Sequence, residues 1–351
     1  ESPLARIRSL RATATGFDRG MWAAMAGAGW TAILVPEDLD GLGLGLRHAC
    51  AIAEATGLNP APEPYLAVAV HATSALRALP GSALRDRLLT DLAAGSLIAG
   101  LAWQETVGQI DQQTCATRAE TVGDVVRLHG AKHWVAPAEG ADGWLVSAHS
   151  DEGCGLYWVP ADTAGVALQS EQRIDGSRMT ALLLDGAEVP SAQCLGAGEA
   201  VQKAIDAAND AARLAQAAEL LGIAHRAFDI TLEYLKTRVQ FGKPIGANQA
   251  LQHRMVDAYL QIELASACLQ EALASYERGD IGLAAAASRA KARCEHAALH
   301  VTRLSVQFHG AVGYTDECDI GLYFKRALAL SSWLGNAAAH RVRFHGLQPR
   351  D

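Results

Sequence analysis

At 351 residues, half of them hydrophobic and 19% charged, the chain has the make-up of a globular protein with substantial cores, not of a disordered one. A formal net charge of -8 argues against a nucleic-acid-binding face. No apolar run approaches the roughly 20 residues that a membrane span needs.

Residues 1–97 read as short helices joined by Gly and Pro. Trp22, Met25 and Trp30 are apolar near the start, and Gly29 is placed to end that first helix. ILVPEDLDGLGLGL then reads as an extended passage and a glycine-rich loop. Gly41, Gly43 and Gly45 are spaced GxGxG with no βαβ unit following, so the expectation is a connector and not a dinucleotide fingerprint. Further helices are expected over 47–56, 68–79 and 82–94.

Residues 98–197 change texture. VVRLHG, GWLVSAH, GLYWVP and TALLLDGAEVP are short β-type runs separated by Gly, Asp and Pro, which suggests a compact β-barrel or sandwich. Residues 198–351 are Ala- and Leu-rich, with helical periodicity over 201–236, 248–278, 281–308 and 319–334, implying an antiparallel four-helix bundle. The fold class read from this order is mainly α with a central β domain: an N-terminal helical domain, a middle β domain and a C-terminal bundle.

Chemistry-bearing residues are sparse. The seven cysteines are scattered and lack a CxxC pair, which argues against a disulfide framework or zinc ribbon and for a reducing compartment. With a start, ESPLARIRSLRATATG, that lacks the apolar core of a signal peptide, the expected location is cytoplasmic. His296 and His300 have i,i+4 spacing but no evident third ligand, so no metal is expected.

The run Arg238–Gln249, RVQFGKPIGANQ, stands out between two helical segments. Arg238 offers a planar fork of donors suited to a pyrophosphate, Phe241 an aromatic face for a base, and Gln249 an amide that donates and accepts. Gly242 lets the backbone leave the helix and Pro244 prevents its resumption. The same residues also describe an ordinary helix–helix turn whose Arg neutralises a helix dipole.

Together with GWTAILVPEDLDGLGLG, GAKHWVAPAEGADGWLV and HGAVGYTDECDIGLYFKRA, in that order along the chain, RVQFGKPIGANQ resembles the signature of the acyl-CoA dehydrogenase family. The resemblance covers nearly the whole chain. It implies FAD as cofactor, an acyl-CoA substrate, α,β-desaturation as the reaction and an electron-transfer flavoprotein as acceptor. It also implies that Arg238, Gln240, Phe241 and Gln249, with Gln307, Phe308 and Gly310, hold the adenosine diphosphate half of an FAD seated in a neighbouring subunit.

Elsewhere the chain departs from the family. The usual TEP-GSD run is here Gln104–Asp111, with Gln104 for the Thr and Ile110 for the Ser. Trp134 keeps the aromatic that packs beside the flavin ring, but the next threonine is Ala136. The two family positions for the catalytic glutamate fall on Leu334 and Ala212, which cannot accept a proton. Asp210 and Glu219 are the nearest acids that could act as a displaced base, and Arg213 is the candidate contact to CoA.

The resemblance therefore implies the glutamate-lacking subunit of a heteromeric α2β2 dehydrogenase, like those acting on bulky thioesters such as steroid side chains. Its partner would be a paralogous subunit that carries the glutamate. Three alternatives remain: a self-sufficient homotetrameric dehydrogenase with a displaced base, a flavin-dependent monooxygenase on the same fold, or a structural paralogue without flavin.

Overall fold

The computed structural model describes residues 4–111, 114–280 and 282–348. It comprises two compact units. One contains the residues up to Ser9, Cys50–Ala61 and Arg213 onward; the other contains Leu10–Ala49 and Pro62–Ala212.

Five helices precede the strands: α1 (Leu4–Leu10), α2 (Arg19–Gly27), α3 (Leu46–Leu58), α4 (Thr73–Ala78), entered from a π-helical stretch Leu66–Ala72, and α5 (Ala83–Ala93). Short polar side chains start two of them. Asp18 accepts a hydrogen bond from the Gly20 N–H to open α2, and Ser82 accepts one from the Arg85 N–H to open α5. The passage expected to be extended before α3 is not a strand. It folds back on itself through Leu42 N–H to Ala32 O (2.9 Å) and Gly43 N–H to Val35 O (2.8 Å), around a 3-10 turn at Glu37–Leu39. Ile33, Leu34 and Val35 are buried by this turning, not by pairing in a sheet, while Leu42 and Leu44 stay exposed.

The strands are β1 (Ala99–Ala102), β2 (Arg118–Val122), β3 (Val125–Val135), β4 (Gly143–Ser150), β5 (Gly153–Pro160), β6 (Val166–Gln172), β7 (Arg178–Pro190) and β8 (Cys194–Ala197). They form one mixed sheet in the order β6-β7-β3-β2-β4-β5-β8, with β1 parallel to β4. The sheet curls around a single core in which Val126, Leu128 and Val135 of β3 meet Trp144 and Val146 of β4, Val159 of β5, and Leu182 and Leu184 of β7. Buried and less buried residues alternate along much of β7, whereas β4 and β5 are buried on both faces. β3 and β4 are not neighbours, since β2 lies between them.

A 39-residue helix follows, α6 (Glu199–Thr237). A two-stranded hairpin, β9 (Val239–Gln240) and β10 (Lys243–Pro244), connects it to α7 (Gln249–Arg278). Next come α8 (Leu283–His309), α9 (Ile320–Ser332) and α10 (Ala337–Gly346). The start expected for the third bundle helix, Ile281, lies outside the described residues. Helix α10 was not anticipated, although Asn336 carries its signal: the side chain accepts from the Ala339 N–H and caps it.

Within the helical unit, α3 and α6 cross at two glycines. A methyl on Gly57 would collide with the Glu219 carbonyl oxygen, and a methyl on Gly222 with the Glu54 carbonyl oxygen. The two backbones therefore touch reciprocally, and only glycine permits that approach. We expect Gly57→Ala and Gly222→Ala each to destabilise the fold by about 1–3 kcal/mol or more through overpacking. Urea midpoints measured beside those of exposed Ala controls check this; unchanged midpoints would refute the close crossing.

Candidate functional site

At the end of α6 the chain reverses within four residues. Lys243 pairs with Gln240, and Pro244 with Val239. Both tip residues, Phe241 (φ 53°) and Gly242 (φ 79°), lie in the left-handed region, as in the type I′ turns that join tight hairpins. Glycine adopts that conformation freely, whereas a bulky aromatic does so under strain. Arg238 ties the two sides together: its N–H donates to Tyr234 O (2.8 Å) and its carbonyl accepts from the Ile245 N–H (2.9 Å).

Beneath the hairpin Leu235 of α6, Met255 of α7 and Phe308 of α8 form an apolar cluster, and Tyr234 stacks on His309 at 4.3 Å between ring centroids. This packing brings the end of α8 to the same end of the bundle as the hairpin. Arg238, Gln240, Gln249, Gln307 and Gly310 are all exposed there. The Phe241 ring is 100% exposed. Phe308 differs, because its side chain belongs to the cluster below. An apolar cleft of about 590 Å³, lined by Phe228, Leu232, Met255, Val256 and Tyr259, opens beside the hairpin.

The run expected to cradle the flavin, Gln104–Asp111, falls in the β unit, and there the polar groups turn inward. Gln104 is buried, and its Nε2 donates to Gln109 O (2.8 Å). The Gln109 side chain reciprocates: its Oε1 accepts from the Glu105 N–H (2.7 Å) and from the Thr106 N–H (3.3 Å). The loop thereby consumes its own backbone donors. Glu105 anchors it to β3 through Lys132 Nζ at 2.6 Å, and also accepts from Ala116 N–H, Thr117 N–H and Thr117 Oγ1. Burial pushes the Glu105 carboxyl up, but Lys132 and the hydrogen bonds overcome this and hold it at about 2. Trp134 sits where β3 carries one extra residue against β7, between Lys132 and Val135. At φ 54° and 37% exposed, it is turned out of the strand by that bulge.

The first position expected for a catalytic carboxylate, Leu334, is a buried left-handed residue (φ 57°) between α9 and α10. Its carbonyl accepts from His340 Nε2 (3.1 Å) and Arg213 Nε (3.5 Å). Nearby, Gln216 Nε2 (2.8 Å) and Lys291 Nζ (3.4 Å) donate to Leu330 O, satisfying the last turn of α9. Glu295 pairs with Lys291 (3.0 Å) and accepts from the Ala337 N–H (3.0 Å) at the start of α10. Buried side chains clamp the turn from both sides. Arg213, the candidate CoA contact, is fully buried in this cluster.

The second position, Ala212, is fully buried on α6, and Asp210 is buried close to it in sequence. Glu219 is engaged by Arg326 Nε at 2.6 Å.

The structure thus gathers Arg238, Gln240, Phe241, Gln249, Gln307 and Gly310 at one end of the helical unit, with Trp134 and Gln104 in the β unit. Sequence reasoning missed the closure of the Gln104–Gln109 loop, the Glu105–Lys132 pair and the clamp of Lys291, Glu295 and His340. Only the i,i+4 spacing of Lys291 and Glu295 could have signalled any of these. His296 and His300 stack on the surface with centroids 6.1 Å apart. Among the described residues, no group of three or more His, Cys, Asp or Glu side chains could hold a metal, and no helix is long and apolar enough to cross a membrane.

His340 is held neutral. Burial first, then the charges of Arg213, Lys291 and Arg343, push its pKa down to about 2. The unfolded chain binds a proton near pH 6.5 that the folded chain refuses. Stability from this group is therefore complete above about pH 6.5 and is lost as pH falls toward the folded value, by at most about 1.4 kcal/mol per pH unit. His340→Gln should flatten the dependence of the urea midpoint on pH between 7 and 5. An equally steep slope in the variant would assign the acid lability elsewhere.

Comparison with known proteins agrees with this architecture. The acyl-CoA dehydrogenase N-terminal domain matches residues 3–96 and the C-terminal domain residues 202–344. The acyl-CoA dehydrogenase IpdE2 of Mycolicibacterium smegmatis is 30% identical over 332 residues, covering 94% of this chain and 88% of that protein. Among solved structures, a variant of the Tcur3481-Tcur3483 steroid ACAD is 33% identical with a TM-score of 0.88, covering 99% of this chain and 92% of that one. The ChsE4-ChsE5 complex from Mycobacterium tuberculosis is 26% identical with a TM-score of 0.89, covering 99% and 94%. The chain belongs to the acyl-CoA dehydrogenase family, whose members are FAD-dependent.

Proposed function

We propose that this chain is the glutamate-lacking subunit of a two-component acyl-CoA dehydrogenase that desaturates a bulky acyl-CoA, and that it completes an FAD site in its partner. One contrast carries the reading. The loop that would cradle a flavin ring spends its donors on itself through Gln104 and Gln109. The hairpin that would grip a nucleotide tail presents Arg238, Phe241 and Gln249 to the exterior.

The residues fit FAD unequally. Arg238 supplies a guanidinium for a pyrophosphate, Phe241 a fully exposed ring for a purine face, and Gln249 and Gln307 neutral amides. These groups point outward at the end of the bundle, as a site shared with a second subunit needs. The cleft beside the hairpin offers apolar surface for that subunit. FAD held there would supply an acceptor for the hydride leaving the acyl β carbon, and a carboxylate would be needed to remove the α proton. This chain brings no such base at either family position. Leu334 is aliphatic with its carbonyl tied to His340 and Arg213, and Ala212 is aliphatic. Glu219 is held in an ion pair with Arg326.

The bulky substrate and the two-component assembly are supported by the named relatives: one solved neighbour is a steroid ACAD and another is a complex of two proteins. An electron-transfer flavoprotein is the acceptor we propose. The competing reading, a self-sufficient enzyme, rests on Asp210 as base.

Two experiments test this. Purified alone, the chain should retain little FAD and show no acyl-CoA desaturation; co-expressed with a paralogue carrying the glutamate, it should give a flavin-loaded active complex. Full flavin occupancy and turnover by the isolated chain would overturn the proposal, and loss of that turnover in Asp210→Asn would install the competing one. Phe241→Gly should have opposite effects in two settings. It relieves a left-handed aromatic, leaving the isolated chain as stable or more stable by about 1 kcal/mol. In the complex it should weaken FAD retention roughly tenfold by removing a stacking face. Unchanged retention would take Phe241 out of the site.

A further inference from the structure

Independently of the reading above, we propose that Cys115 and Cys154 form a peroxide-responsive dithiol: a hydroperoxide oxidises Cys115, Cys154 closes a disulfide with it, and small thiols reopen the bond.

The pair lies beside the Glu105–Lys132 ion pair. Cys115 Sγ is 3.4 Å from Lys132 Nζ, 3.6 Å from Glu105 Oε1 and 3.9 Å from Ser147 Oγ. Lys132 is itself fully buried and also donates to Ser147 Oγ (3.0 Å). Cys154 lies on β5 directly opposite His149 of β4, whose N–H donates to Thr117 O (2.7 Å), two residues from Cys115. In this register Cys154 shares a face of the sheet with Ser147, whose Oγ lies 3.9 Å from Cys115 Sγ, so the two thiols are neighbours on that face. Both are half-buried, so a molecule as small as hydrogen peroxide can reach them. Cys115 precedes β2 on irregular backbone, outside the sheet ladder.

The environment divides their roles. The neighbouring Cys154 thiol, opposed by burial and helped by the Lys132 charge against that of Glu105, brings the Cys115 thiol down to about 7. Its neighbour Cys115 and burial push Cys154 up. With the Lys132 ammonium 3.4 Å from its sulfur, Cys115 is the thiolate that attacks, and Cys154 the thiol that resolves. The Cys115 thiolate attacks one peroxide oxygen, the O–O bond breaks, and hydroxide leaves with the electron pair to give a sulfenic acid. Cys154 sulfur then attacks the sulfenic sulfur, the S–O bond breaks, and the oxygen departs as water with the Cys154 proton. In sum, two thiols and one hydrogen peroxide give one disulfide and two waters. Three other cysteines lack this setting: Cys50 and Cys294 are buried, and burial pushes the Cys294 and Cys194 thiols up.

The test uses the full reduced chain, treated with hydrogen peroxide near pH 7, alkylated and mapped without reduction. A Cys115–Cys154 cross-linked peptide, lighter by two hydrogens, should form before any other linkage and should vanish with dithiothreitol. In Cys154→Ser, dimedone should trap a sulfenic acid at Cys115 instead. In Cys115→Ser, Cys154 should stay reduced over the same exposure. The proposal is overturned if the wild-type chain yields no such cross-link, if Cys115 oxidises no faster than Cys268 or Cys318, or if Cys154 oxidises as readily without Cys115. The wild-type map needs no variant, so a substitution that disturbs folding does not blunt the test.

Discussion

A lysine with no exposed surface keeps its charge only if a carboxylate and further hydrogen bonds replace the water it has lost. Lys132 is such a residue, and Glu105 is the carboxylate. Because Glu105 follows Gln104 and also collects the donors of Ala116 and Thr117, one ion pair fixes three segments: the exit from β1, the approach to β2 and the middle of β3. Removing one partner of a buried pair typically costs about 3–5 kcal/mol, since the other charge is left stranded. The β unit can therefore tolerate change in its loop residues more readily than change in this pair.

The bracing explains how the Gln104–Gln109 loop is ordered by its own contacts. Gln104 and Gln109 replace external acceptors by each other, so no ligand is needed to satisfy the backbone. In the helical unit the opposite has happened. An apolar cluster and the Tyr234–His309 stack support the hairpin from below, while Arg238, Phe241 and Gln249 lie exposed to solvent. Strain follows the same division. Among the described residues the non-glycine positions with positive φ are Asp40, Trp134, Phe241 and Leu334, and three of these are positions that the sequence reading singled out for flavin or base.

The architecture was legible because it rests on local periodicity: the long helices declare themselves by apolar spacing, and the strands by short β-branched runs between Gly and Pro. The Arg238–Gln249 segment was legible for a different reason, since Gly242 and Pro244 leave the chain few ways to continue. The passage 32–44 misled because apolar residues buried by turns look, in sequence, like those buried by strand pairing. The α9–α10 clamp and the closed Gln104–Gln109 loop were invisible because each joins groups through space. Gln216 meets Leu330 and Glu105 meets Lys132 with nothing in the spacing to announce it.

The α3–α6 crossing has an evolutionary corollary. At most packed positions, a larger residue on one helix can be accommodated by a smaller one on the other, and sequences drift in pairs. Gly57 and Gly222 each press against a carbonyl oxygen of the opposite main chain, which no exchange of side chains can shrink. Neither position can be rescued by altering its neighbour. In descendants of this chain the two should stay frozen while the surface around them diverges.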